Sequence, residues 1–262
     1  MDNRIQDRVA GVLAGLAAGD RNGGPIQMAL RLAESLAAMG SFVRADVGDR
    51  YLSWWRNGAF DTGPVTGRVL GLVAEGSTFD EAAAHVDLEM CGQTAGCNPA
   101  HRCAPLAMAP FLDDTELERA ALSEASLTHA HPLAGDAAAA VAMLCGALIR
   151  GEEWENALER AGKGRLAEVR RALAAIAPAG RGGYSPVALV SAIFFIGTSS
   201  SLSDALSRSI AYAGPANYCP VLVGSIGGAR WGKRAIPETL LPPSELCKRI
   251  EAAGSSLIGL WE

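Results

Sequence analysis

The chain is poor in aromatic residues, poor in charge, and without any long apolar run. Aromatics are 6% and charged residues 19% of 262 positions, yet 49% are hydrophobic, which is far too apolar for a disordered polymer. The chain therefore folds. Its 23 Lys and Arg are outnumbered by 28 Asp and Glu, giving a net charge of -5, and no run of cations is present to neutralise phosphates. A nucleic-acid groove is excluded on that ground. The longest apolar run, 186–197, falls well short of the ~20 residues of a bilayer crossing and predicts a buried helix. No membrane partner is expected. Residues 1–20 open with mixed charge and continue in Gly and Ala, which predicts a first helix rather than an export signal. The six cysteines (Cys91, Cys97, Cys103, Cys145, Cys219, Cys247) form no CxxC pair, so reduced thiols and a cytoplasmic setting are expected.

What is present is small residues in helical rhythm. The chain holds 48 Ala and 30 Gly, so its helices are predicted to pack closely. Apolar positions recur at three- and four-residue steps over 26–39, 49–55, 64–74, 79–87, 115–126, 133–150, 154–160, 166–176, 186–196, 202–211, 222–231 and 243–253. About eleven or twelve helices follow. Two-residue alternation is absent, so the fold class is all-α. Ser77 ahead of Asp80 and Glu81, Thr115 with Glu118, and Ser201 with Asp204 are predicted helix starts. The breakers at 19–25, 91–99, 177–186 and 213–220 are short, none resembles a linker, and no repeat is visible. One compact domain over 1–262, an orthogonal multi-helix bundle, is expected.

Polar chemistry concentrates in a few segments. Asp61 and Thr62 precede Gly63-Pro64 at a helix start, where they read as caps or as an exposed acid and hydroxyl. Asn98, His101 and Arg102 fall within five residues of a loop. There Arg102 suits a phosphate or carboxylate, His101 suits proton transfer, and Asn98 suits a cap. His129 and His131 are spaced for a metal, but no further ligand lies nearby. His85 reads as an ordinary residue of a solvent-facing helix, and Asp113-Asp114 as a helix cap.

Taken in order, these segments resemble the ADP-ribosylglycohydrolase family. GVLAGLAAGD (11–20) is similar to its opening helix, QMALRLAESL (27–36) to the helix after its first metal motif, and FDTGPVT (60–66) to its Asp-containing cleft segment. CNPAHRCAPLA (97–107) is similar to its Asn- and Arg-bearing loop, LTHAHP (127–132) to its Thr-His segment, and GSIGGARWGKRAIPE (224–238) to its closing helix. The resemblance implies an all-α domain whose cleft holds two divalent cations, magnesium or manganese, that orient ADP-ribose for hydrolysis at the anomeric carbon. It also implies that two carboxylate motifs are lost. Gly24 and Pro25 stand at the first, and Pro215 and Asn217 at the second. The segment between the opening helix and the first motif is shortened to Arg21-Asn22-Gly23, which reshapes one wall of the cleft.

Three readings follow. The first is a metal-independent hydrolase on a ribosyl, nucleotide-like or other small anionic substrate. In it Asp61 is the general base, His101 or Arg102 holds the substrate, and Tyr218 or Cys219 acts beside the vacated metal position. Thr62, Asn98, His129 and Asn217 complete substrate binding, and no metal ligand or cofactor is assigned. The second is an inactive protein that binds ADP-ribose or a nucleotide. The third is a metal-dependent ADP-ribosyl-protein hydrolase with a rearranged site.

Overall fold

The computed structural model describes residues 2–261, and among them there is no β-strand. The elements are α1 (Asn3–Gly19), α2 (Gly24–Met39), α3 (Arg44–Arg56), α4 (Pro64–Ala74), α5 (Phe79–Glu89), α6 (Asn98–Arg102), α7 (Asp114–Ala125), α8 (Pro132–Ile149), α9 (Trp154–Gly162), α10 (Ala167–Leu173), α11 (Ser185–Gly197), α12 (Leu202–Ala213), α13 (Tyr218–Trp231) and α14 (Ser244–Ile258). The predicted all-α class is observed. Four short 3₁₀ turns complete the ordered backbone.

The centre is α8, whose 18 residues have mean hydropathy 1.7 and pack against α1, α6, α7, α9, α10, α11 and α13. It is longer than the 186–197 run singled out in the sequence, and by length and composition it suffices to cross a bilayer. Its apolar surface is instead covered by protein, with every residue from Leu133 to Ile149 buried. Ala and Gly make the bundle tight. Gly11, Gly15 and Gly19 of α1 meet Pro220, Gly224 and Gly228 of α13 backbone to backbone. Both sets recur every four residues and so share one helix face. A methyl group on Gly15 would lie 2.1 Å from the Gly224 carbonyl oxygen, far inside van der Waals contact.

Beside this body, α4 and α5 form a smaller apolar cluster from Val65, Val69 and Val73 against Ala82, Ala83 and Val86. The caps differ from the sequence reading in register. Thr78, not Ser77, caps α5 with Glu81 in a reciprocal box, while at α7 the expected Asp113 cap is present, boxed with Glu116, and Thr115 lies inside the helix. Ser201 caps α12 as expected. His85 is exposed on α5, also as expected.

Candidate functional site

The link between α1 and α2 is only four residues long, Asp20 to Gly23, which brings Asp20, just past the end of α1, beneath the start of α2. Its Oδ1 accepts from the Gly23 N–H and the Asn217 Nδ2, each at 2.9 Å, and its Oδ2 accepts from the Ile26 N–H at 2.9 Å. Burial pushes its carboxyl up, and these donors pull it back. Asp20 went unremarked in the sequence except as the last residue of the opening helix. The available signal was an acid closing an otherwise buried Gly/Ala helix.

Asp61 stands opposite. It does not cap α4, whose N-cap is Gly63 with no side-chain bond. Its backbone is left-handed, with φ 48°, an unfavoured conformation that Asp tolerates better than most residues. The surrounding chain imposes it: Asn98 Nδ2 donates to the Thr62 carbonyl and, at 3.2 Å, to Thr66 Oγ1. One Asp61 oxygen accepts from the Gly24 N–H at 3.3 Å. Partial burial raises its pKa, against the pull of Gly24 and the amides of Asn22 and Asn217. Asn98 therefore fastens the 60–66 segment rather than capping α6, whose N-cap is Cys97.

Two cavities meet here. The smaller, about 100 Å³, is lined by Asn22, Pro25, Asp61, His101, Asn217 and Tyr218, among others. The larger, about 470 Å³, is walled by Pro64, Gln93, Gly96, His129, His131 and Tyr184, among others. Gly63, Asn98 and Tyr218 border both. Three helices of eleven or more residues start at the wall of the larger cavity: α4 near Pro64, α11 after Tyr184 and α13 at Tyr218. None has a side-chain cap. Pro64, Pro186 and Pro220 bring no N–H to these first turns and the Ser185 N–H is spent on the Ala95 carbonyl, so it is chiefly the positive ends of the helix dipoles that lie beside this space.

Several sequence-predicted residues lie elsewhere or are already engaged. Arg102, expected to hold an anionic substrate, is 0% exposed and borders neither cavity. Its Nε donates to Glu124 Oε1 at 2.5 Å, and its guanidinium lies 5.2 Å from the Tyr51 ring centre. The anion it forks onto belongs to its own chain. Thr62 also borders neither cavity and faces Gly67 of α4. Cys219 sits in the first turn of α13 rather than in a loop, is 3% exposed, and burial pushes its thiol up to about 12, so it offers no thiolate nucleophile. His101 sits in α6, not in a loop, and its Nε2 donates to the Tyr218 carbonyl at 2.8 Å. Burial lowers its pKa to about 4, so it ties two helices together and is no ready base near neutrality. Tyr218 is the first residue of α13, half-exposed, with its ring stacked near that of His101 at 6.4 Å.

The sequence profile of the ADP-ribosylglycohydrolase family matches residues 25–262. The chain belongs to this family. It is 26% identical over 226 residues to the ADP-ribosyl-(dinitrogen reductase) glycohydrolase of Rhodospirillum rubrum, spanning 86% of this chain and 73% of that protein. A solved structure described as an ADP-ribosylglycohydrolase-related protein complex superposes with a TM-score of 0.82 at 26% identity, covering 100% of both chains.

A pair of hard divalent cations needs several anionic oxygens. At the two positions where the family resemblance places those ligands, Gly24, Pro25 and Pro215 carry no side-chain oxygen, and Asn217, whose Nδ2 donates to Asp20, offers only a neutral carbonyl oxygen. Asp20 already accepts three N–H groups, which leaves Asp61 as the one open carboxylate of the small cavity. Among the described residues no three His, Cys, Asp or Glu side chains gather as a cation site. The donors present do not fit a two-metal centre.

Proposed function

We propose that this family member hydrolyses a glycosidic bond of a small ribosyl or nucleotide-like anion without a two-metal centre, with Asp61 as the general base. The observation that carries the reading is the pairing of one open, strained carboxylate with a cavity lined by uncapped helix N-termini. Such N-termini favour phosphate or carboxylate oxygens without any cationic side chain. The larger cavity then holds the anionic part of the substrate and the smaller one its ribose carbon. Asp61 takes a proton from water as the water oxygen bonds to the anomeric carbon and the bond to the leaving group breaks. Its raised pKa makes it a better base than an exposed carboxylate. Tyr218, bordering both cavities, is the candidate donor of the proton that the leaving group takes up. Asn98 and Asn217 position Asp61, the first through the backbone and the second through its amide. Six free cysteines, four of them buried, suit a reducing compartment such as the cytoplasm.

A second reading, binding of an ADP-ribose-like ligand without turnover, is favoured by one observation. Of the four residues proposed for chemistry, His101 is engaged at Nε2 and Cys219 is shut away.

The test is release of ADP-ribose from ADP-ribosyl-arginine and ADP-ribosyl-serine, with and without EDTA, in the wild type and in Asp61→Asn. Asparagine tolerates the left-handed backbone as well as aspartate does, so the variant removes charge and basicity while keeping the turn. EDTA-insensitive release that drops by roughly 10²- to 10⁴-fold in Asp61→Asn is expected. Release that needs added magnesium or manganese would refute the metal-free reading, and tight binding with no product would establish the second one.

A further inference from the structure

His129 is 3% exposed, yet it borders the larger cavity and its Nε2 has no partner in the protein. Gly96, on the same wall, leaves room for it: a Cβ there would lie 3.1 Å from Nε2. The unpartnered nitrogen of an otherwise buried ring, reaching a cavity wall, points to a ligand atom, and whether it gives or accepts a hydrogen bond decides which atom fits.

The polarity follows from the groups behind the ring. Arg102 has only donors, and its Nη2 donates to Thr128 Oγ1 at 2.8 Å. The Thr128 hydroxyl is fully buried and lies 2.8 Å from His129 Nδ1. No other acceptor for its single hydrogen is in reach, so the hydroxyl donates to Nδ1. Nδ1 must then carry the lone pair. Burial and the nearby Arg102 charge both push the ring's pKa well below its ordinary value, so the imidazole stays neutral. Behind Arg102, Glu124 takes its Nε–H and the Tyr51 hydroxyl, which fixes the guanidinium in place.

We propose that Arg102, acting through Thr128, holds His129 as a neutral ring with its proton on Nε2. The larger cavity thereby presents a fixed N–H donor that selects an acceptor oxygen of the ligand, such as a phosphate oxygen. His131, on the same wall, accepts at Nδ1 from the Leu133 N–H at 3.2 Å. Arg102 and Thr128 are positioning residues, acting on the ligand only through His129. The ligand half of this inference rests on the anionic substrate proposed above; the tautomer does not.

The experiment is long-range proton–nitrogen correlation spectroscopy of histidine-labelled protein, with the His129 signals assigned by their loss in His129→Gln. The wild-type ring should show a protonated Nε2 and an unprotonated, hydrogen-bonded Nδ1. In Thr128→Val, which keeps the side-chain shape, that pattern should give way to mixed tautomers, and affinity for ADP-ribose and inorganic pyrophosphate, read by calorimetry, should fall about tenfold. Thr128→Ser should restore both. A wild-type ring protonated on Nδ1 overturns the inference whatever the variants do. So does a Thr128→Val protein with weakened binding and an unchanged tautomer. The proposed tautomer in a protein that binds neither probe supports the relay and refutes the anionic-ligand reading instead.

Discussion

At the scale of the residue, Arg102 and Glu124 form an ion pair inside the protein. Both side chains are almost entirely out of water, so removing one partner leaves the other as an unpaired interior charge. Arg102→Met is expected to lower the unfolding free energy by roughly 3–5 kcal/mol in urea denaturation. Adding Glu124→Gln should recover part of that loss, because the stranded charge is then gone. The sequence suggests an anionic substrate as the partner of Arg102, whereas the fold gives it the carboxylate of Glu124. Its acceptor, Glu124, sits on a helix whose neighbours Glu116, Glu118 and Arg119 read as a solvated face, and nothing local marks it as the one that turns inward. Asp61 shows the reverse. By residue type it reads first as a cap, and only the fold leaves it open to the cavity.

At the scale of the element, the same substitution has opposite signs in two helices. Gly15→Ala drives a methyl group into the α13 backbone, which neither helix can evade by rotating a side chain, and should destabilise by about 1–3 kcal/mol or more. Gly254→Ala in α14 meets nothing within 4 Å and keeps an ordinary helical φ, so it should stabilise by roughly 0.5–1 kcal/mol. Melting temperatures of the two variants against the wild type check both. Helix existence was legible because the 3.6-residue rhythm is local, but starts were less so. α3 begins at Arg44 and α13 at Tyr218, ahead of the predicted 49 and 222. In α13 the cause is Pro220, which reads as a breaker but is tolerated in a first turn, where no N–H bond is lost. That displacement moved Tyr218 and Cys219 from a loop onto a helix.

At the scale of the whole molecule, the buried neutral histidines make stability depend on pH. In the unfolded chain they charge below about pH 6.5, whereas His101 in the fold resists protonation down to about 4 and His129 resists it more strongly. Through that window the unfolded state binds more protons, so stability is full above about pH 6.5 and is lost as the pH falls, by up to roughly 1.4 kcal/mol per pH unit for each ring. Asp20 and Asp61 act in the opposite sense. Their pKa values are raised, so the folded carboxyls take up protons first and offset part of the loss nearer the carboxylate range. The urea midpoint should therefore fall between pH 7 and pH 5. His101→Gln, whose side-chain amide can still donate to the Tyr218 carbonyl, should flatten that slope.

The sequence by itself determined the all-α class, most of the helices and the family, because helical rhythm and motif order are carried by residues near one another in the chain. Tertiary structure alone decided which polar groups face the cavities. Asn217 meets Asp20 across 197 positions and His101 meets the Tyr218 carbonyl across 117. Whether a charged side chain is spent inside the protein or left open to a ligand depends on such distant partners, and no local pattern encodes them.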